Sequence, residues 1–119
     1  MANHNELGKK GEDLAVTFLL KNGYEILERN YTFQKAEVDI IAKKENTLAV
    51  VEVKTRSTNV FGNPQDFLKL KQIQRIVKAV DNYVTSNQFD VEVRFDIIAI
   101  VKSGSQYDIE HLENAYYHF

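Results

Sequence analysis

Asp39 and Glu52 each interrupt an apolar, strand-like run, Val38-Asp39-Ile40-Ile41 and Val51-Glu52-Val53-Lys54. Strands favour β-branched and aromatic residues, and a carboxylate taken out of water needs a partner or a metal ion. An even loop centred on Glu45-Asn46 sets Lys43 opposite Leu48, Asp39 opposite Glu52 and Glu37 opposite Lys54. Opposed residues share a face. Glu37, Asp39, Glu52 and Lys54 then make one polar square, with Val38, Ile40, Val51 and Val53 behind it. An odd loop would instead put Glu52 on the face of Ile40, mixing charge into the apolar side. Facing carboxylates, about 4.5–5.5 Å apart at Cβ, repel each other. A hard divalent cation such as Mg²⁺ removes that repulsion and accepts oxygen ligands from carboxylates, water and phosphate. The Lys54 ammonium is placed to orient a water or to offset charge growing on a phosphate. The plainer reading is a Glu37–Lys54 cross-strand pair beside two solvated carboxylates, since antiparallel sheets often wet one face.

The elements that must hold this hairpin can be read around it. Leu7, Gly11, Leu14, Ala15, Phe18 and Leu19 recur at helical spacing, with Asn3 and Glu6 as a capping box and Lys21-Asn22-Gly23 as a stop, predicting a helix over about 5–22. Strand composition covers 24–33, 38–43 and 48–55. After a Gly62-Asn63-Pro64 loop, a second helix runs from Asp66, with Leu70, Ile73, Ile76, Val77, Val80 and Val84 at a 3.6-residue period. Strands follow at 91–101 and 107–112, separated by Ser103-Gly104-Ser105. The order α-β-β-β-α-β-β defines an α/β (mixed α+β) fold, a mixed sheet flanked by helices, in one domain over 1–119.

These residues carry a family resemblance. Asp39, a twelve-residue spacer and Glu52-Val53-Lys54 are similar to the signature of restriction-endonuclease-like nucleases, whose Asp and Glu-x-Lys bind metal and cleave phosphodiesters. More narrowly, Gly11-Glu12-Asp13-Leu14-Ala15, Gly23-Tyr24, Ile26-Leu27-Glu28-Arg29-Asn30, Glu37-Val38-Asp39-Ile40-Ile41-Ala42, Val51-Glu52-Val53-Lys54-Thr55-Arg56 and Arg94-Phe95-Asp96 resemble the YraN-like family, related in fold to archaeal Holliday-junction resolvases. The resemblance implies a Mg²⁺- or Mn²⁺-dependent endonuclease acting on DNA, branched or single-stranded. It implies that Asp39, Glu52, Glu12 and the Val53 carbonyl hold the metal and that Lys54 assists the water. A junction cut on two strands needs two active sites, which implies a homodimer on that substrate. The chain departs from the family at Ala36, where a glycine usually precedes the Glu-x-Asp.

Glu12 falls at the edge of the first helix's apolar stripe, near the helix N-terminus, where an acid is favoured by the dipole in any case. Lys71, Arg75 and Lys78 fall at i, i+4 and i+7 on the second helix, opposite its apolar face, with Gln74 alongside, and Arg56, Lys54 and Lys69 extend the patch. Such a stripe suits phosphates, and equally a solvated helix face. Asp96 reads as a structural ion pair with Arg94. The tail Tyr116-Tyr117-His118-Phe119 offers packing or base stacking.

Composition limits the alternatives. With 15 basic and 17 acidic residues in 119 and a net charge of -2, whole-molecule charge does not draw nucleic acid, so binding must be local. Absence of cysteine excludes disulfides and thiol chemistry. His4, His111 and His118 are scattered without zinc spacing, and there is no glycine-rich phosphate loop or serine elbow. No signal-peptide profile or membrane-length apolar run occurs, so a cytoplasmic location with no membrane partner is expected. The alternative to an enzyme is a non-catalytic nucleic-acid-binding or protein-interaction module that keeps the nuclease fold.

Overall fold

The computed structural model describes residues 5–57 and 69–118. The Asn3 cap, His4, the Gly62-Asn63-Pro64 loop, the Asp66 helix start and Phe119 lie outside the described residues. In order, the elements are α1 (Asn5–Lys21), β1 (Glu25–Phe33), β2 (Ala36–Lys44), β3 (Thr47–Arg56), α2 (Leu70–Ser86), β4 (Glu92–Ser103) and β5 (Gln106–Leu112), then a short 3-10 helix (Ala115–His118). The five strands form one sheet in sequence order. β3 and β4 are parallel, while the other neighbours are antiparallel. Parallel neighbours need a crossover, and α2 lies within it. The mixed sheet and the α-β-β-β-α-β-β order are those the sequence indicates. No described helix is long and apolar enough to cross a membrane.

Each face of the sheet buries one helix. Ala15, Leu19 and Tyr24 pack with Ile40, Ala42, Ala49, Val51, Ile98 and Ile100 on the α1 side. Ile76, Val80 and Tyr83 of α2 pack with Val38, Ile41, Leu48, Val50 and Ile97 on the other. α1 ends where Gly23 takes φ +88° and Tyr24 N–H returns to the Leu19 carbonyl at 3.0 Å, a turn that favours glycine.

Helix α1 also approaches β3 unusually closely, and a second glycine makes this possible. Gly11 is buried, and a Cβ built there would stand 2.0 Å from Thr55 Oγ1 and 3.0 Å from Thr55 Cβ. Alanine favours helix by about 1 kcal/mol over glycine, yet here it meets a stiff β-branched neighbour. Gly11→Ala is therefore expected to destabilise the protein by about 1–3 kcal/mol, measured by chemical unfolding. A gain in stability would show that α1 does not rest on Thr55.

The hairpin register holds, with one correction. Lys44↔Thr47, Lys43↔Leu48, Ala42↔Ala49, Ile41↔Val50 and Ile40↔Val51 pair as the even loop requires, with Glu45 at φ +53° in the turn. Pairing stops there, one row short of Asp39 and Glu52. Val38 belongs to the α2-side core and Ile40 to the α1-side core, so β2 changes face at Asp39. β1 does the same at Asn30, which has φ +53°. Arg29 opposite Ile40 reaches α1, whereas Tyr31 opposite Val38 packs against Tyr83 of α2. Val38, Ile40, Val51 and Val53 thus do not share one face. Ala36 has no positive φ; Gln34, in the preceding turn, carries it at +56°.

Candidate metal and phosphate site

The face change frees Asp39 from either surface of the sheet. A continued ladder would pair Val38 with Val53; instead Val53 N–H donates to Asp39 Oδ2 at 2.8 Å, and the carboxylate takes the place of a backbone carbonyl. In an extended strand the N–H and C=O of one residue point to the same neighbour. The Val53 carbonyl therefore opens on the side of Asp39.

Glu52 is 8% exposed, and its Oε1 is buried with no hydrogen-bond partner. Its Oε2 lies 3.6 Å from Lys54 Nζ. Burial, then the Asp39 charge, push the Glu52 carboxyl up from 4.5 to about 8, against the pull of Lys54. Asp39 is likewise pushed up, to about 6, by burial foremost and by Glu12 and Glu37, while the Val53 N–H and Lys54 act the other way. A buried carboxylate with an orphaned oxygen, beside a half-buried one that repels it, suits a hard divalent cation: hard oxygen donors and an unmet acceptor are what such an ion satisfies. Among the described residues no three histidine, aspartate or glutamate side chains stand together as a ready-made ion site.

Two grooves meet at this pair. One, of about 490 Å³, is lined by Lys35, Glu37, Lys69, Lys71, Gln72 and Arg75 beside Asp39 and Glu52. The other, of about 430 Å³, is lined by Glu12, Val53, Lys54, Thr55 and Arg56 together with the same two carboxylates. Glu12 and Glu37 thus reach the site from opposite sides. Lys71 and Arg75 flank the carboxylates rather than facing away from the sheet. Lys78 lines an adjoining hollow with Phe33, Lys35 and Arg75. Gln74 is exposed and lines neither groove; Gln72 occupies that place. None of Lys35, Lys69, Lys71, Arg75 and Lys78 forms an ion pair with another described residue. Lys35 escaped the sequence reading because a turn residue carries no periodicity.

Away from the grooves, Asp96 is fully buried and structural, as the sequence indicates, but its shell is larger than a pair. Arg94 Nη2 donates to it at 2.9 Å, His111 Nε2 lies at 2.8 Å, and Asn114 N–H donates at 3.1 Å. Burial alone would raise the Asp96 carboxyl; His111, Arg94 and the Asn114 amide together hold it below its ordinary value. Tyr24 accepts a hydrogen bond from Arg94, and Tyr24 and Phe18 pack edge-on against His111. Tyr116 is buried against Phe95, which makes this part of the aromatic tail core.

Fold and site together define a class: a mixed five-stranded sheet between two helices, with a buried and a half-buried carboxylate side by side where the β2–β3 ladder parts. Comparison with known proteins gives the family. Residues 11–100 match the family described as "Uncharacterised protein family UPF0102", and the chain belongs to it. It is 64% identical over 119 residues to a UPF0102 protein of Flavobacterium psychrophilum and 65% identical to one of Christiangramia forsetii, with all of each chain covered. A Bacteroides thetaiotaomicron UPF0102 protein is 47% identical over 98% of this chain and 97% of its own. Among solved structures, Archaeoglobus fulgidus Hjc, a Holliday junction resolvase, aligns over 92% of each chain at 13% identity and a TM-score of 0.48.

Proposed function

We propose that this protein is a metal-dependent endonuclease that hydrolyses phosphodiester bonds in DNA, branched or single-stranded, with Mg²⁺ or Mn²⁺ held by Asp39 and Glu52. One observation carries this reading. The buried Glu52, with its Oε1 unsatisfied, and the half-buried Asp39 that repels it lie in a groove whose Lys35, Lys69, Lys71 and Arg75 pair with no described acid. A site for a cation and a track for phosphates are thereby side by side. A divalent cation there supplies Lewis-acid stabilisation for charge growing on the phosphate oxygens.

The chain's own residues divide the remaining work. Asp39 and Glu52 supply oxygen ligands, the Val53 carbonyl faces the same opening, and Glu12 approaches across the second groove. Lys54, held against Glu52, presents its ammonium to the attacking water or the phosphate. Lys71 and Arg75 bind the backbone on the α2 side, with Lys78 and Lys35 continuing the track and Arg56 serving the α1 side. A homodimer would supply the second site needed to cut both strands of a junction.

The purified protein, offered branched, nicked and single-stranded DNA with Mg²⁺ or Mn²⁺, is expected to cleave at least one of them. Asp39→Ala and Glu52→Ala should fall to background. Equal cleavage by wild type and Glu52→Ala would refute the assignment. DNA binding without cleavage, unaffected by Asp39→Ala yet weakened by Lys71→Ala, would favour a non-catalytic binding module.

A further inference from the structure

Glu12 and Asp13 are neighbours on α1, and both reach one nitrogen of β1. Arg29 Nη2 lies 2.9 Å from Asp13 Oδ1 and 3.8 Å from Glu12 Oε1. These two contacts differ in kind. Asp13 is hydrogen-bonded to Arg29, has a side chain 52% exposed and lines neither groove, so it serves as an anchor. The Glu12 side chain is 23% exposed, lines the α1-side groove, and its charge raises the carboxyls of both Asp39 and Glu52. A third acid near two that already repel needs a counter-charge, and Arg29 provides it from outside the grooves.

The face change at Asn30 is what puts the guanidinium there. Arg29, opposite Ile40, lies on the α1 side, whereas Tyr31, one step beyond Asn30, lies on the α2 side. We infer that Arg29, tied down by Asp13, is a positioning residue that holds Glu12 toward the Asp39–Glu52 pair and so sets the site's affinity for a divalent cation. This rests on the metal reading above. Arginine suits the task because the two N–H donors on its Nη2 are held in the guanidinium plane, whereas a lysine ammonium rotates freely. Outer partners that orient metal ligands typically contribute 10–100-fold in affinity.

The test is calorimetric Mn²⁺ titration of the full chain as wild type, Asp39→Ala, Glu12→Gln, Arg29→Ala, Arg29→Lys, Asp13→Asn and the Glu12→Gln/Arg29→Ala double variant. Arg29→Ala is expected to bind Mn²⁺ about 10-fold more weakly, Arg29→Lys to recover only part of the loss, and Asp13→Asn to shift the same way. The double variant should be no weaker than the weaker single, because both changes remove one interaction. Arg29 and Asp13 are exposed, so their unfolding midpoints should stay close to wild type and separate positioning from misfolding. Unchanged or tighter Mn²⁺ binding in Arg29→Ala would overturn the inference, since a guanidinium that merely repels the cation gives that result. Additive losses in the double variant would overturn it too. Binding by wild type, loss in Asp39→Ala and no change in Arg29→Ala would sink this inference alone, whereas no binding by wild type would sink it together with the metal site.

Discussion

Without metal at pH 8, Glu52→Gln is expected to unfold at a higher temperature than wild type, and to lose the stabilisation that Mn²⁺ gives wild type. The folded state raises the carboxyls of Asp39 and Glu52, so it holds their protons more tightly than the unfolded chain does. Stability from such groups is fully present below their ordinary values and is lost as pH rises through the raised ones, here from 4.5 towards about 8 for Glu52. A neutral amide removes that loss. Relieving a poorly compensated buried charge contributes on the order of 1–3 kcal/mol, or several degrees in a domain of this size. The same substitution removes a charged oxygen ligand, so Mn²⁺ should no longer raise the midpoint. Wild type, in contrast, should release protons on taking up Mn²⁺ at neutral pH, because its ligands must ionise. Scanning calorimetry with and without Mn²⁺ at pH 5 and pH 8 checks all of this. A Glu52→Gln variant less stable than wild type at pH 8 would mean that the ionised carboxylate already has a partner in the metal-free protein.

The largest loss of stability is expected from Asp96→Asn. Asp96 is fully buried, collects Arg94, His111 and the Asn114 amide, and pairs with Val51 in the row before Glu52. Breaking one partner out of a buried charged set typically costs about 3–5 kcal/mol. The damage should spread along the chain, because the amide of Asn114, at φ +55°, fixes the turn that carries Tyr116 into the α2-side core. The pH dependence is opposite in sign to that of Glu52. A carboxyl held below its ordinary 3.8 contributes stability above that value and loses it as pH falls. Asp96→Asn should therefore flatten the acid limb of the stability curve and leave the alkaline limb in place. Denaturant unfolding at about pH 2.5 and pH 7 decides it, and a loss under about 1 kcal/mol at pH 7 would show that Arg94 and His111 do not depend on Asp96.

How far the chain could be read depended on whether neighbouring residues differ in polarity. An even loop at Glu45-Asn46 matches Glu52 to Asp39 and keeps it off the face of Ile40, so the register that pairs Lys43 with Leu48 and Ile40 with Val51 was legible in the sequence. The turn over at Asn30 and Asp39 was not, because Val38 and Ile40 are both apolar and a strand that changes face between them looks the same in sequence. The α2 stripe was visible through its 3.6-residue period, whereas its relation to the carboxylates depends on where the crossover sets the helix. Lys35 and Gln72 had no periodic signal. His111 joins Asp96 only through the β4–β5 register, fifteen residues away in the chain, and a lone histidine does not announce such a partner. Glu12 was recognisable as a candidate from its place on the helix; Arg29, its counter-charge, lies in a strand whose sequence does not show which helix it meets.

The face changes at Asn30 and Asp39, between the Arg29–Ile40 and Tyr31–Val38 pairs, make the sheet sensitive to changes of length. Alternate residues of β1 and β2 exchange faces across this seam, Tyr31 and Val38 facing α2 and Arg29 and Ile40, two residues away on each strand, facing α1. A one-residue insertion in either strand would shift that seam along the sheet. Arg29 would move away from α1, and a hydrophobic side chain would stand where the carboxylate now bridges to Val53. Exchanging side chains at fixed spacing leaves the seam in place, whereas the seam itself counts residues.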